Sequence, residues 1–196
     1  MKFTSIKSEL LDPSYGEQGI VHPDPDVVAI NASIVSVKHD KWRLCVGETR
    51  IGEAMGYALM RIDHNGKLDT TFGKGGLATG TFKEGFNSTA GGIHLHGEHI
   101  IITGLYHDPS TNLHFPALAR FTANGQLDTR FGSHGHKVIE LPPAPPKSST
   151  NPTTKPAAAP TLTSISSADG VFVTYQYPWS LLSLIHISEP TRPERI

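Results

Sequence analysis

One phrase recurs along this chain. Gly66–Gly76 reads GKLDTTFGKGG, Gly125–Gly135 reads GQLDTRFGSHG and Leu10–Gly19 reads LLDPSYGEQG. Aligned on Asp12, Asp69 and Asp128, the copies share L-D-x-x-[FY]-G-x-x-G at a near-constant interval of just under sixty residues. The pattern is filled by Leu11, Asp12, Tyr15, Gly16 and Gly19, then by Leu68, Asp69, Phe72, Gly73 and Gly76, then by Leu127, Asp128, Phe131, Gly132 and Gly135. Such a period marks a chain assembled from one supersecondary unit, stacked on copies of itself because a lone unit cannot bury its apolar face.

Each position of the phrase predicts a task. The second and third copies extend upstream as A-L-x-R-x-x-x-N-G-x-L-D, with Ala58, Leu59, Arg61, Asn65 and Gly66 matching Ala117, Leu118, Arg120, Asn124 and Gly125. Asn-Gly predicts a hairpin turn of type I′, whose central residues take positive φ. The preceding YALMRI and PALARF are apolar enough for buried strands, and Leu68 and Leu127 then point inward. The aspartate is expected to accept bonds from backbone N–H groups two or three residues on and so fix a second turn. The aromatic ring anchors that turn to the neighbouring unit, and the glycines let the backbone bend sharply. Because Asp12, Asp69 and Asp128 return with the fold, they are expected to hold units together rather than to catalyse. Ser14 and Arg130 stand at the same place before the ring, so no common role is expected for that side chain.

Between the phrases, INASIVSVKHDKWRLCVGE and GGIHLHGEHIIITGLY each read as an apolar-rich hairpin, the second turning at Gly97-Glu98 in a type II′ geometry. TSISSADGVFVTYQY repeats the idea with its turn at Asp169-Gly170. Each unit therefore holds about four short strands, the content of one β-propeller blade. No 3.6-residue periodicity of helical length appears. The expected fold class is all-β: repeated four-stranded antiparallel units forming a partial, truncated β-propeller. Three partial blades are too few to close a ring, and open sheet edges predict self-association.

RIDHNGKLDTTFGKGG and RFTANGQLDTRFGSHG resemble the delta-60 repeat, a bacterial repeat of β-propeller type. The resemblance spans roughly Lys7 to Leu141, with a weaker continuation to about Tyr177. It implies a propeller-like architecture. It brings no general catalytic activity or cofactor, so no active residue is carried over. Leu182–Arg192, LSLIHISEPTR, resembles instead the conceptual translation of a sequencing adapter. The expected organisation is two to three repeat blades over 1–141, a Pro-rich flexible insertion over 142–160, the start of a further hairpin over 161–181 and a non-native-looking tail over 182–196.

Composition sets limits on function. Lys and Arg number 17 against 18 Asp and Glu, a formal charge of −1, so bulk charge favours neither nucleic acid nor an anionic membrane. No window offers about 18 uninterrupted apolar residues for a membrane span. The N-terminus has no apolar run of signal-peptide length, which makes a cytoplasmic location the default expectation. A single cysteine, Cys45 in WRLCVG, excludes an internal disulfide and reads as an inert buried thiol.

The chain carries 11 histidines, and the sharpest cluster is His94, His96 and His99 in IHLHGEH. On a two-residue hairpin the three share a face, where imidazoles hold zinc or copper. No G-x-S-x-G, H-E-x-x-H or phosphate-loop spacing appears, and FGKGG near Lys74 lacks the length of such a loop. The expected function is a non-catalytic binding or scaffold module for a protein or glycan. The alternatives are a metal-dependent hydrolase or lyase using the histidine cluster, and a gene fragment without independent function.

Overall fold

A computed structural model describes residues 11–22, 26–35, 42–139, 162–167, 170–175 and 183–188. Among them all regular structure is strand. Strands β1 (Val27–Val35), β2 (Trp42–Ile51), β3 (Ala54–Asp63) and β4 (Leu77–Gly80) form one antiparallel four-stranded sheet in chain order. Strands β5 (Ser88–His96), β6 (His99–Asp108), β7 (Leu113–Thr122) and β8 (His136–Val138) repeat that meander. Strands β9 (Leu162–Ser167), β10 (Gly170–Tyr175) and β11 (Ser183–Ser188) form a third, three-stranded sheet. Residues 183–188, set apart in sequence from the repeat, thus pair with β10 as β11.

The sheets stack face to face, and this explains the unbroken apolar runs of β3 and β7. Alternate residues of a strand point to opposite faces. Tyr57 and Leu59 face the second sheet, in one core with Leu44, Val46, Ile100, Ile102, Ala117, Ala119 and Phe121. Ala58, Met60 and Ile62 face the other way, packing with Val27, Cys45, Val21 and Leu68. On the second sheet Ile101 and Leu118 face the third, where Phe131, Val171 and Val173 close a further core. A strand buried on both faces has no position for the polar half of an alternating pattern. Cys45 lies in this packing as a free, buried thiol whose pKa burial pushes up.

The hairpin tips partly follow expectation. Gly97-Glu98 is a two-residue loop between the paired His96 and His99, and Gly97 takes φ +57°. The Asn-Gly turns differ from the expected type I′, because only the glycines have positive φ (Gly66 +81°, Gly125 +77°). The Asp63 carbonyl accepts from Gly66 N–H, the Lys67 carbonyl accepts from Asp63 N–H, and Thr122, Gly125 and Gln126 repeat the arrangement. This is a longer loop, a tight turn closed by a glycine bulge. The Asp63 carboxylate supports it by accepting from Asn65 N–H and Lys67 N–H, and the Thr122 hydroxyl accepts from Gln126 N–H in the second copy. In the third sheet Gly170 pairs with Ser167 as the first residue of β10, and Asp169 of the expected Asp169-Gly170 turn lies outside the described residues.

Candidate functional site

The repeated phrase builds three copies of one corner, placed in the first two complete blades between the third and fourth strands. In each copy the aromatic residue's N–H donates to the aspartate carbonyl (Tyr15 to Asp12, Phe72 to Asp69, Phe131 to Asp128), and the last glycine's N–H donates back to the aromatic residue's carbonyl. The φ angles repeat: +60°, +58° and +54° at Gly16, Gly73 and Gly132, then +88°, +106° and +93° at Gly19, Gly76 and Gly135. A Cβ at the last glycine would meet the phrase's own leucine in every copy, which couples those two positions.

The aspartates are spent on this geometry. Asp12 and Asp69 each accept from the backbone N–H and the hydroxyl two residues on, Ser14 and Thr71 respectively. Asp128 accepts from the N–H and the guanidinium of Arg130 instead. The side chain before the ring therefore has a common role after all: hydroxyl and guanidinium both tie down the carboxylate. The other Asp69 oxygen accepts from Arg61 Nε at 2.7 Å and pairs with its Nη2. Asp128 meets Arg120 in the same way, at 3.1 and 2.9 Å. Arg61 lies over the ring of Phe72 and Arg120 over that of Phe131. Burial pushes the Asp69 and Asp128 carboxyls up, but the hydrogen bonds and the arginine charges outweigh it and hold both below the usual range. Asp12 is lowered by the hydroxyl and backbone bonds of Ser14. The Asp69 and Asp128 carboxylates are thus committed on both oxygens to groups of the fold.

The corners also clasp one blade to the next. Gly16 N–H donates to the Asn65 carbonyl at 2.7 Å, and Gly73 N–H donates to the Asn124 carbonyl at 2.8 Å. Each corner thus holds the Asn-Gly turn of the following unit. A Cβ on Gly125 would sit 2.7 Å from the Phe72 ring and 2.9 Å from Gly73 N, and one on Gly66 would sit 2.8 Å from Gly16 N. The ring anchors the neighbour by occupying the space that a side chain there would need.

The histidine cluster is placed on one hairpin but directed to separate partners. His96 pairs with His99 across the turn. His94, buried, shares a 2.7 Å hydrogen bond between Nε2 and Ser164 Oγ of the third sheet, and Ser164 Oγ lies 2.7 Å from Thr103 Oγ1. His99 Nε2 lies 3.4 Å from Asp128 Oδ2. Among the described residues no group of three or more His, Cys, Asp or Glu side chains is arranged to hold a metal ion. Burial lowers the pKa of His94 and keeps it neutral.

A second polar contact links the blades. His136 begins β8 and reaches back across the blade boundary, with Nε2 at 2.8 Å from Tyr57 Oη. Burial lowers the pKa of His136 and pushes the Tyr57 phenol up. A signal existed: the residue after the last glycine of the phrase is Ile20 or Leu77 in the other copies, so a histidine there breaks an apolar position. Beside this pair an open cleft of about 960 Å³ runs between the segment after β4 and the outer strand β8. Its rim carries Lys83, Glu84, His134 and Lys137, and Phe82, Tyr106 and His136 line its walls. Lys83 Nζ is held 4.3 Å from the Phe86 ring centre and 5.2 Å from that of Tyr106, which fixes one cationic group at the entrance.

Two face-packed four-stranded meanders, with a third sheet against them, define an all-β protein of partial β-propeller type. Residues 99–131, from β6 through the ring of the third corner, match the family described as "Domain of unknown function (DUF5122) beta-propeller", in agreement with a β-propeller-like repeat. No curated protein and no solved structure matches the chain. Among the described residues no helix is long and apolar enough to cross a membrane.

Proposed function

We propose that the chain is a non-catalytic binding module of β-propeller type, built on delta-60-type repeats, whose ligand is an acidic chain seated in the cleft between β8 and the segment after β4. The observation that carries this reading is the division of labour among polar groups. The Asp69 and Asp128 carboxylates are tied to Arg61 and Arg120 within the corners, whereas the cleft rim presents Lys83 and Lys137 to solvent beside one acid, Glu84. A surplus of cations around an open recess in a chain of net charge −1 favours a ligand with spaced anionic oxygens. In this reading 1–141 is the repeat body, 142–160 a Pro-rich insertion, 161–181 the start of a further hairpin, and 182–196 stands outside the repeat.

Calorimetric titration with a sulfated oligosaccharide and, separately, an Asp/Glu-rich peptide tests it. At least one binds, more weakly as salt rises, and a K83E/K137E variant of unchanged melting temperature binds at least tenfold less well. No binding of either probe at millimolar concentration, or equal binding by the variant, overturns the reading.

A further inference from the structure

The β6–β7 hairpin brings together two histidines that stand apart from the His94, His96 and His99 group. His107 on β6 pairs in register with His114 on β7, one step below the Asp108–Leu113 pair that closes the strands. In an antiparallel ladder a residue's N–H and C=O point to the same side, so a residue that bonds away from its partner belongs to a non-hydrogen-bonded pair, where side chains come closest. His107 N–H donates to the Asn87 carbonyl, on the β5 side. The Pro116 carbonyl accepts from Ile139 N–H, on the β8 side, and His114 lies two residues before it with the same orientation. The two imidazoles therefore occupy a close pair. Their ring centres are 4.8 Å apart and their planes are tilted by 39°. A metal ion held at about 2.0–2.1 Å by one nitrogen of each ring, at an angle of about 90–110°, sets the ring centres about 4.4–5.2 Å apart.

A further contact orients one ring. His107 Nε2 lies 3.1 Å from Asn112 Oδ1. An amide oxygen only accepts, so Nε2 carries the proton and the lone pair of the neutral ring sits on Nδ1. Burial and the neighbouring His107 hold His114 below the usual histidine range, so it meets a cation as the neutral ring at pH 7. Both histidines are half-buried.

We propose that His107 and His114 form a two-imidazole chelate for a late first-row divalent ion, copper(II) ahead of zinc, with Asn112 as the positioning residue. Nitrogen ligands favour copper(II) in the order of affinities of that series, whereas calcium and magnesium take oxygen ligands. Two protein ligands leave the other coordination positions to water, so the ion exchanges. The site is separate from the acidic-ligand cleft, whose Tyr106 points to the opposite face of β6.

The probe is copper(II) chloride, added to the ¹⁵N-labelled full chain. Paramagnetic broadening is strongest at the amides around His107 and His114, and calorimetry gives one tightly bound ion per chain. His107→Gln/His114→Gln binds at least tenfold less tightly, with an unchanged melt in the absence of metal. Asn112→Gly keeps the left-handed backbone (φ +55°) but removes the amide oxygen, and it weakens binding several-fold without altering the stoichiometry. Broadening centred on any other histidine, equal affinity in the double variant, or no binding at micromolar copper overturns the proposal. Should the double variant melt early, the broadening pattern of the unaltered chain decides. Equal affinity in Asn112→Gly overturns the role of Asn112.

Discussion

Replacing Gly125 with alanine puts the clasp between blades under direct strain. The new Cβ would lie 2.7 Å from two carbons of the Phe72 ring and 2.9 Å from Gly73 N, on a residue with φ +77°. The left-handed backbone alone costs about 1–2 kcal/mol with a Cβ. Overpacking a fixed ring adds about 1–3 kcal/mol. The ring has little room to yield: it is fully buried, and Arg61 lies over it with its guanidinium committed to Asp69. The sum is about 2–5 kcal/mol. Gly52 supplies the control, since its φ is +61° but a Cβ there meets nothing within 4 Å. Gly52→Ala therefore costs only the backbone share, about 1–2 kcal/mol. Urea unfolding followed by tryptophan fluorescence separates the two, and a difference of about 2 kcal/mol displaces the midpoint by roughly 1 M at an ordinary m-value. Trimming the ring by Phe72→Leu in the Gly125→Ala background recovers part of the loss, a coupling that a double-mutant cycle measures. Equal costs at the two glycines, or no coupling with Phe72, would refute the clasp as a tight contact.

Two further outcomes follow from the same geometry. Asp69→Asn keeps the Thr71 bonds but leaves Arg61 without its counter-charge, so it costs about 2 kcal/mol by urea unfolding, whereas Asp12→Asn, with Ser14 as its partner, costs less; equal losses would show that the arginine pair adds nothing. Acid weakens the fold through His94 and His136: both are held neutral by burial, so below pH about 6.5 the unfolded chain binds protons that the native one does not. That stability is complete above pH about 6.5 and falls as pH drops, at up to about 1.4 kcal/mol per pH unit for each histidine. Thermal melts from pH 7.5 to 5 read it, and a wild-type profile no steeper than that of a His94→Gln/His136→Gln variant counts against it.

What the sequence disclosed, and what it hid, divides along the range of the interactions. The corners were legible because Asp69 and Thr71, or Phe72 and Gly76, interact within a few residues, and the period supplied three instances of each rule. The partner of Arg61 was not. It stood in the repeated pattern without a role, because Asp69 comes level with it only when the chain doubles back and Asp69 N–H donates to the Arg61 carbonyl. The Asn-Gly turn was placed correctly but given the wrong type, since the dipeptide serves both a two-residue turn and a glycine bulge, and the side-chain oxygen at the turn's first residue, Asp63 or Thr122, supports the bulge. The histidine cluster shared a hairpin in sequence, but neighbouring elements divided it: the third sheet's Ser164 took His94, and Asp128 lies against His99. The role of His136 was not legible beside the turn glycine, because its partner, Tyr57, is a whole blade away.

The clasp also frees the covalent path between sheets. Successive sheets are aligned by core packing and, where corner meets hairpin, by a bond that bypasses the connecting segment, so that segment's length has little to specify. Residues 81–87 join β4 to β5 across a clasped boundary, and residues 139–161 join β8 to β9, whose sheets meet through core packing with no corner-to-hairpin bond among the described residues, over roughly three times the distance in sequence. Closing the longer path costs only about 1 kcal/mol more. Such joints are natural points at which evolution, or a protein engineer, inserts foreign sequence without disturbing the register of the sheets on either side.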